Sequence, residues 1–113
     1  MKVIDVFQQD FAAACVYGGV ARRAARVTLT ATSEEGTIRY EAGVTFFPHR
    51  DAEDFAISCD AYAAKEVYFA KGRRSKKREE TMLAELREHA DEAAATLGGT
   101  IDWEKPLGEA RRG

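Results

Sequence analysis

The segment VTLTATSEEGTIRYEAGV, residues 27–44, constrains the fold more than any other part of the sequence. Two runs of alternating apolar and polar residues flank SEEG, whose glycine is typical of a hairpin turn. Pairing Thr32 with Thr37 puts every apolar pair on one face of the two strands. The pairs on that face are Ala31 with Ile38, Leu29 with Tyr40, Val27 with Ala42 and Ala25 with Val44. The pattern predicts an antiparallel hairpin with one buried face and one solvent-facing side.

The sequence after the hairpin predicts a third strand and leaves the next segment open between helix and strand. Pro48 interrupts the pattern, and FAISC, residues 55–59, resumes it, which indicates the third strand of an antiparallel meander. In residues 61–71 the alanines, Asp60 as N-cap and the Lys–Gly ending favour a helix. The β-rich centre EVYF favours a fourth strand instead. We expect the helix, because AYAA is poor turn chemistry for a hairpin.

Two further segments show the helical spacing of apolar residues. Near the N-terminus these residues are Val3, Phe7, Phe11 and Ala14, followed by Gly18 and Gly19 as a helix stop. Near the other end they are Met82, Leu83, Leu86, Ala90, Ala93, Ala94 and Leu97, between Ser75 as N-cap and Gly98–Gly99 as a stop. We therefore expect an α+β fold with an N-terminal helix, a three-stranded antiparallel β-meander, and one or two C-terminal helices on its apolar face. The meander becomes four-stranded if residues 61–71 form a strand.

Length and composition fit one folded domain. The 113 residues are 45% hydrophobic and 32% charged, which is ordinary for a globular protein. We expect residues 1–108 to form a single α+β domain and residues 109–113 to be a frayed tail. No apolar run approaches the roughly 20 residues of a membrane span, and Asp5 and Asp10 interrupt the start of the chain where a signal peptide would be apolar. These features predict a cytoplasmic protein without membrane contact, in which Cys15 and Cys59 are free, buried thiols.

The run KGRRSKKR, residues 71–78, carries six positive charges in eight residues although the formal net charge of the chain is −2. The charged residues are Lys71, Arg73, Arg74, Lys76, Lys77 and Arg78. Cations are unfavourable at a helix N-terminus by roughly 0.3–1 kcal/mol each when exposed, so folding does not explain the run. Free backbone N–H groups and lysines converging there would suit an anion. The run is therefore a candidate contact for a partner protein, an anion or a nucleic acid, unless it is only a solvated turn.

The same run, leading into a helix after a β-meander, resembles the start of the second helix in double-stranded-RNA-binding domains. In that family a G-x-G-S-K-K-like turn sets lysines against phosphates across the RNA major groove. The resemblance implies phosphate contacts for Lys76, Lys77 and Lys71, and it covers about ten residues plus the coarse order helix, three strands, helix. Arg73 and Arg74 stand where the family has its second glycine, and the following helix is acidic. We assign no family from this resemblance.

No constellation in the sequence meets the residue-type and spacing demands of catalysis. His49, Asp51, Glu53 and Asp54 come together in PHRDAED, but a zinc site needs three or four well-spaced ligands, usually with more His or Cys. Cys59 and His49 could form a nucleophile pair only with hydrogen-bond proximity and a lowered thiol pKa. We therefore expect no catalytic residue, no metal site and no cofactor.

Surplus aromatic residues make self-association plausible. Phe46 and Phe47 are consecutive, so in a strand they point to opposite faces and the helix-covered core takes only one of them. The side chains that we predict for an interface are Phe47, Tyr68 and Trp103. Either a second subunit covers them in a homodimer, or Trp103 and the tail fold over the second face. The leading hypothesis is a non-catalytic interaction or regulatory protein that binds a protein partner or itself, and nucleic-acid binding through residues 71–78 is the alternative.

Overall fold

The computed structural model describes residues 1–48 and 60–113, which form six strands and two helices. In chain order the elements are β1 (Lys2–Tyr17), β2 (Val20–Glu34), β3 (Thr37–Phe47), β4 (Ala61–Lys71), α1 (Lys76–Ala84), α2 (Leu86–Ala95), β5 (Thr100–Pro106) and β6 (Arg111–Arg112). The strands pair antiparallel in the order β4–β3–β2–β1–β5, and β6 also pairs with β1. The expected α+β class and antiparallel sheet are confirmed, but the sheet is larger than the predicted three or four strands.

The predicted N-terminal helix is wrong, because residues 2–17 form β1. Gly18 and Gly19 have φ angles of 60° and 77° and turn the chain into β2 instead of ending a helix. Two register shifts against β2 interrupt the strand, one near Val6 and one after Ala12. Each extra residue delays the alternation of side chains, so residues that share a face recur after three or four positions as well as two. The helical spacing of Phe7 and Phe11 arises without a register shift, because four residues are also two steps of strand alternation, whereas Val3 pairs with Thr32 on the opposite face from Phe7.

The β2–β3 hairpin is confirmed with the two faces that the sequence predicts, but its register differs by two residues. Glu34, rather than Thr32, pairs with Thr37. The turn is formed by Glu35 and Gly36, whose φ angles are 50° and 78°. A two-residue turn with positive φ at both positions matches the twist of the strands, and this favours it over the longer loop. Because side chains alternate with a period of two, the shift leaves the buried face unchanged.

Residues 61–71, for which we expected a helix, form β4 at the edge of the sheet. β4 pairs with β3 along its length, with one register shift at which Val67 is the additional residue. Strand pairing with β3 outweighs the modest helix propensity of the alanines, as tertiary context commonly does. The predicted third strand, residues 55–59, lies outside the described residues.

The predicted C-terminal helix is present as two consecutive helices. Ser75 is the N-cap of α1, as expected, and its side-chain oxygen accepts a hydrogen bond from the Arg78 N–H at 3.3 Å. The chain bends at Glu85, between α1 and α2, where φ is −102°. After α2, Gly98 adopts a φ of 70° and the Gly99 N–H returns to a carbonyl of the helix, which is a glycine C-terminal stop.

The helices pack on one face of the sheet, and the core lies between the helices and the sheet. The largest fully buried side chains are Tyr40, Phe46, Leu29, Ile38, Val27 and Val44. The helices add Met82, Leu86, Ala90, Ala93 and Ala94 to the same cluster. A Cβ atom on Gly99 would lie 2.5 Å from the Phe46 ring, so the chain that leaves α2 passes directly against the sheet.

The position of Trp103 differs from the expectation that it folds over the second face with the tail. Trp103 lies in β5, its ring centre is 4.8 Å from that of Phe11, and its indole N–H donates to Asp91 of α2 at 3.0 Å. Trp103 is therefore on the helix side of the sheet and does not cover the second face. Within the segment expected to fray, Arg111 and Arg112 form β6 against β1.

Candidate interaction surface

The basic segment, residues 71–78, connects the end of β4 to the first turn of α1. Lys71 is the last residue of β4 and Lys76 is the first of α1. Between them, the Gly72 N–H donates to the Gly36 carbonyl at 2.8 Å, which ties the segment to the β2–β3 turn. Gly72 has a φ of 126°, a backbone conformation that residues other than glycine rarely adopt. The fold therefore brings the six cations of the basic segment to one corner of the molecule.

One of these cations, Arg74, is bound to a buried carboxylate. Its Nε and Nη2 atoms donate to the two carboxylate oxygens of Glu79 at 2.9 and 2.8 Å, which is the bidentate geometry of a strong ion pair. Glu79 is only 5% exposed, and its Oε2 also accepts a hydrogen bond of 2.6 Å from the Tyr40 hydroxyl. The Tyr40 oxygen in turn accepts from the Ser75 N–H at 3.4 Å. This network fastens the start of α1 to the centre of β3.

The network shifts the protonation equilibria of its three side chains. The hydrogen bonds from Arg74, supported by that from Tyr40, lower the pKa of the Glu79 carboxyl although burial opposes them. Hydrogen bonding to Glu79 raises the pKa of the Arg74 guanidinium. Burial, followed by the hydrogen bond to Glu79, raises the pKa of the Tyr40 hydroxyl. The charge of Arg74 is therefore balanced by Glu79, and its guanidinium is a poor candidate for binding an anionic partner.

Like Arg74, whose side chain is 32% exposed, the other five cations of the basic segment lie on the surface. These exposed cations are Lys71, Arg73, Lys76, Lys77 and Arg78. None of them forms an ion pair within residues 1–48 and 60–113. The guanidinium of Arg78 lies 4.1 Å from the centre of the Tyr68 ring, a cation–π contact that keeps the positive charge. The exposed cations thus remain available to a negatively charged partner.

The three residues predicted for an interface do not form one patch. Phe47 is buried, with 7% of its surface exposed. Tyr68 is half-buried, pairs with Tyr40 across β3 and β4, and lies beneath Arg78. Trp103 is half-buried on the helix side of the sheet. Since consecutive strand residues alternate and Phe46 is in the core, Phe47 belongs to the opposite face.

The exposed aromatic side chains of β4 are instead Tyr62 and Phe69, which are 62% and 52% exposed. Tyr62 pairs with Thr45 and Phe69 with Arg39, on the face away from the helices. The Arg39 guanidinium lies 5.1 Å from the centre of the Phe69 ring and is 2.8 Å from a carboxylate oxygen of Glu66. We call this surface the aromatic face; its residues are Arg39, Tyr62, Glu66, Phe69 and Lys71.

Gly43 of β3 makes room for Tyr62 on the aromatic face. A Cβ atom at Gly43 would lie 3.2 Å from the Tyr62 hydroxyl and 2.8 Å from Oγ1 of Thr28. An aromatic side chain that covers a glycine on the neighbouring strand is a known stabilising arrangement in sheets. Sequence reasoning missed the aromatic face because residues 61–71 were expected to be helical. Reading them as a strand groups Tyr62 with Glu66, but only the extra residue Val67 moves Phe69 to the same face.

The residues considered for catalysis and metal binding give no site in the described part of the chain. Cys15 is buried, its Sγ lies 3.6 Å from the Leu97 carbonyl, and burial raises the pKa of its thiol, which disfavours the nucleophilic thiolate. Within residues 1–48 and 60–113 no group of three or more His, Cys, Asp or Glu side chains could hold a metal ion. His49, its neighbouring acids and Cys59 lie outside the described residues.

Comparison of the chain with protein-family models, with curated proteins and with solved structures found no match. The order helix, three strands, helix that accompanied the resemblance to double-stranded-RNA-binding domains is not present, because β1 replaces the first helix. Neither α1 nor α2, the helices of the described residues, has the length and apolar character needed to cross a membrane.

Proposed function

We propose that this protein is a small non-catalytic interaction protein that binds a protein partner or a second copy of itself through the aromatic face. The observation that supports the proposal is the exposure of Tyr62 and Phe69 on a sheet face that carries neither helix. The proposal includes a single domain of residues 1–108 that acts in the cytoplasm without a cofactor.

The composition of the aromatic face suits a protein contact. Aromatic residues and arginine are enriched in protein interfaces, and they supply most of the residues that dominate binding energy. Here Phe69 lies beside Arg39, while Glu66 and Lys71 offer charges of both signs at the rim. β4 pairs with no described strand other than β3, so the backbone groups along its other edge can also pair with a partner.

Photo-crosslinking tests this proposal with a matched control. We expect a benzophenone amino acid at position 69 to give a discrete crosslinked product in cells. The same amino acid at position 16 should give none, although Val16 is 70% exposed. Identical products from both positions, or no product from position 69, would contradict the proposed surface.

Light scattering after size-exclusion chromatography distinguishes the two forms of the proposal. A homodimer would have twice the 12.5 kDa mass of the chain, and the double substitution Tyr62→Ser and Phe69→Ser should return it to a monomer. A wild-type protein that stays monomeric at high concentration would leave a different protein as the partner.

Nucleic-acid binding is the second candidate function, and the exposed cations are the observation that favours it. Five positive side chains lie at one corner without an ion pair among the described residues, and such clusters contact phosphates in nucleic-acid-binding proteins. Affinity should then fall with salt by about 0.9 log units per log unit of salt for each duplex phosphate that is neutralised.

The test is fluorescence anisotropy with duplex RNA and with single-stranded DNA of equal length. We expect the triple variant Lys71→Ala, Lys76→Ala and Lys77→Ala to lose binding and to flatten the salt dependence. A control triple variant, Lys2→Ala, Arg23→Ala and Lys105→Ala, changes the net charge equally at other sites and should bind as the wild type does. Equal losses in both variants, or no binding by the wild type at about 50 mM salt, would remove this candidate.

A further inference from the structure

The outer edge of β1, the edge away from β2, is covered by parts of the chain that follow the helices. β5 pairs with residues 11–14 of β1, and β6 pairs with Phe7 and Gln8. Between these strands the Leu107 N–H donates to the Asp10 carbonyl at 2.9 Å. We call residues 107–113 the covering segment. Its position shows that the backbone of β1 is able to pair with a further antiparallel strand at this edge.

The covering segment is held by few interactions. Arg111, Arg112 and Gly113 are all exposed, and β6 has only two residues. The ion pair between Arg112 and Glu80 spans 3.5 Å between side chains that are 61% and 69% exposed, and exposed pairs of this kind contribute little to stability. Segments with few buried contacts open locally far more often than central strands.

The surface that contacts the covering segment selects for particular residues at positions 112 and 113. Glu80 meets the basic side chain of Arg112, and Nη2 of Arg74 donates to the main-chain oxygen of Gly113 at 3.2 Å. The Gly113 N–H donates to the Val6 carbonyl at 3.2 Å. A Cβ atom at position 113 would collide with the Asp5 carbonyl oxygen. The surface therefore accepts a basic side chain followed by glycine.

We propose that the outer edge of β1 is a strand-addition site for an extended segment of a partner protein that carries a basic residue followed by glycine. The covering segment occupies the site as a stand-in in the free protein, and the partner segment displaces it. In strand addition the main-chain hydrogen bonds supply affinity, and side-chain positions supply specificity. The site lies at the opposite edge of the sheet from β4 and does not depend on the function proposed for the aromatic face.

The experiment detaches the covering segment within the full chain and supplies its sequence as a separate peptide. The double substitution Arg112→Glu and Gly113→Val places like charges together and introduces the collision with Asp5. We expect the amide NMR signals of Phe7 and Gln8 to move in this variant. The peptide GEARRG should return them toward their wild-type positions with an affinity at least about tenfold tighter than for the wild-type protein, because the tethered segment competes there.

The control peptide GEARRV, which carries the same charges, should bind the double variant at least tenfold more weakly. The proposal is overturned if GEARRG leaves the Phe7 and Gln8 signals unmoved, if both peptides act equally, or if the covering segments exchange between two copies and light scattering shows a dimer. If the double variant does not fold, the single substitution Arg112→Glu, at an exposed position, allows the same comparison of the peptides GEARRG and GEARRV.

Discussion

Arg74 and Lys76 lie two residues apart in the same run of positive charge, yet their side chains have different partners. Both are exposed, but Arg74 is ion-paired with the buried Glu79, whereas Lys76 has no ion pair among the described residues. The basic segment therefore consists of a structural ion pair next to a group of free cations. A charge run in a sequence is not a single functional unit, and each member must be assigned by what it meets in three dimensions.

Among these variants, we expect the largest loss of stability when the charge of Glu79 is removed. Glu79→Gln leaves the Arg74 guanidinium next to a neutral group, and breaking a buried ion pair is strongly destabilising, although the 32% exposure of the Arg74 side chain reduces the effect here. We expect the free energy of unfolding to fall by about 2–3 kcal/mol in urea denaturation. The control is Glu80→Gln, whose carboxylate is 69% exposed and whose loss should change stability by less than about 0.5 kcal/mol. Equal effects at the two positions would abolish the distinction.

Lowering the pH should remove most of the difference in stability between the wild type and Glu79→Gln. The Arg74 hydrogen bonds hold the pKa of Glu79 below its ordinary value, so at acidic pH the unfolded chain binds a proton more readily than the folded one. The stabilisation from this carboxylate is present above the unfolded pKa and is lost as the pH falls through the lowered folded pKa. In urea denaturation from neutral to acidic pH, the gap between the wild type and Glu79→Gln should therefore narrow, and a constant gap would show that Glu79 acts only through packing.

A smaller effect is expected when the hydroxyl of Tyr40 is removed. Tyr40→Phe keeps the buried ring but takes one hydrogen-bond donor from the Glu79 carboxylate, at a cost of about 1–2 kcal/mol in the free energy of unfolding. The matched control is Tyr68→Phe on the neighbouring strand, because Tyr68 is half-buried and its hydroxyl forms no hydrogen bond within residues 1–48 and 60–113. A loss at Tyr68 as large as that at Tyr40 would contradict the importance of the network.

The smallest change is expected from the free cations. Replacing Lys76 and Lys77 by alanine removes positive charge from the first turn of α1, where it is unfavourable by a few tenths of a kcal/mol per side chain. Thermal denaturation should show unchanged or slightly higher stability. A loss of more than about 1 kcal/mol would mean that these lysines, like Arg74, serve the fold.

The sequence predicted the features that depend on near neighbours. The β2–β3 hairpin, the Ser75 N-cap and the glycine stop at Gly98 each follow from residues within a few positions of one another. β1 and β4 were misassigned, because the four-residue spacing of Phe7 and Phe11 fits both a helical turn and two steps of a strand, and because the alanines of β4 favour a helix. Pairing with a neighbouring strand decided both segments, and local propensity does not contain that information.

The sequence likewise predicted only part of the candidate interaction surface. Charge alone drew attention to the basic segment, but it did not separate Arg74 from its neighbours. That separation depends on Glu79, rather than Glu80, facing Tyr40 across the core, and the two glutamates are equivalent in the sequence. The exposure of Tyr62 and Phe69 depends on the strand assignment of β4, so an error in secondary structure concealed the aromatic face.

The two neighbours of β1 become available at very different times in synthesis. β2 follows β1 after a two-residue turn, so that hairpin can close early, whereas β5 emerges only after both helices have been made. Pairing between distant segments is slow because the loop entropy must be overcome before contacts form. We expect docking of Thr100–Pro106 on β1 to be the late step of folding. Until that step, a nascent chain carries an unpaired strand edge that can associate with other chains.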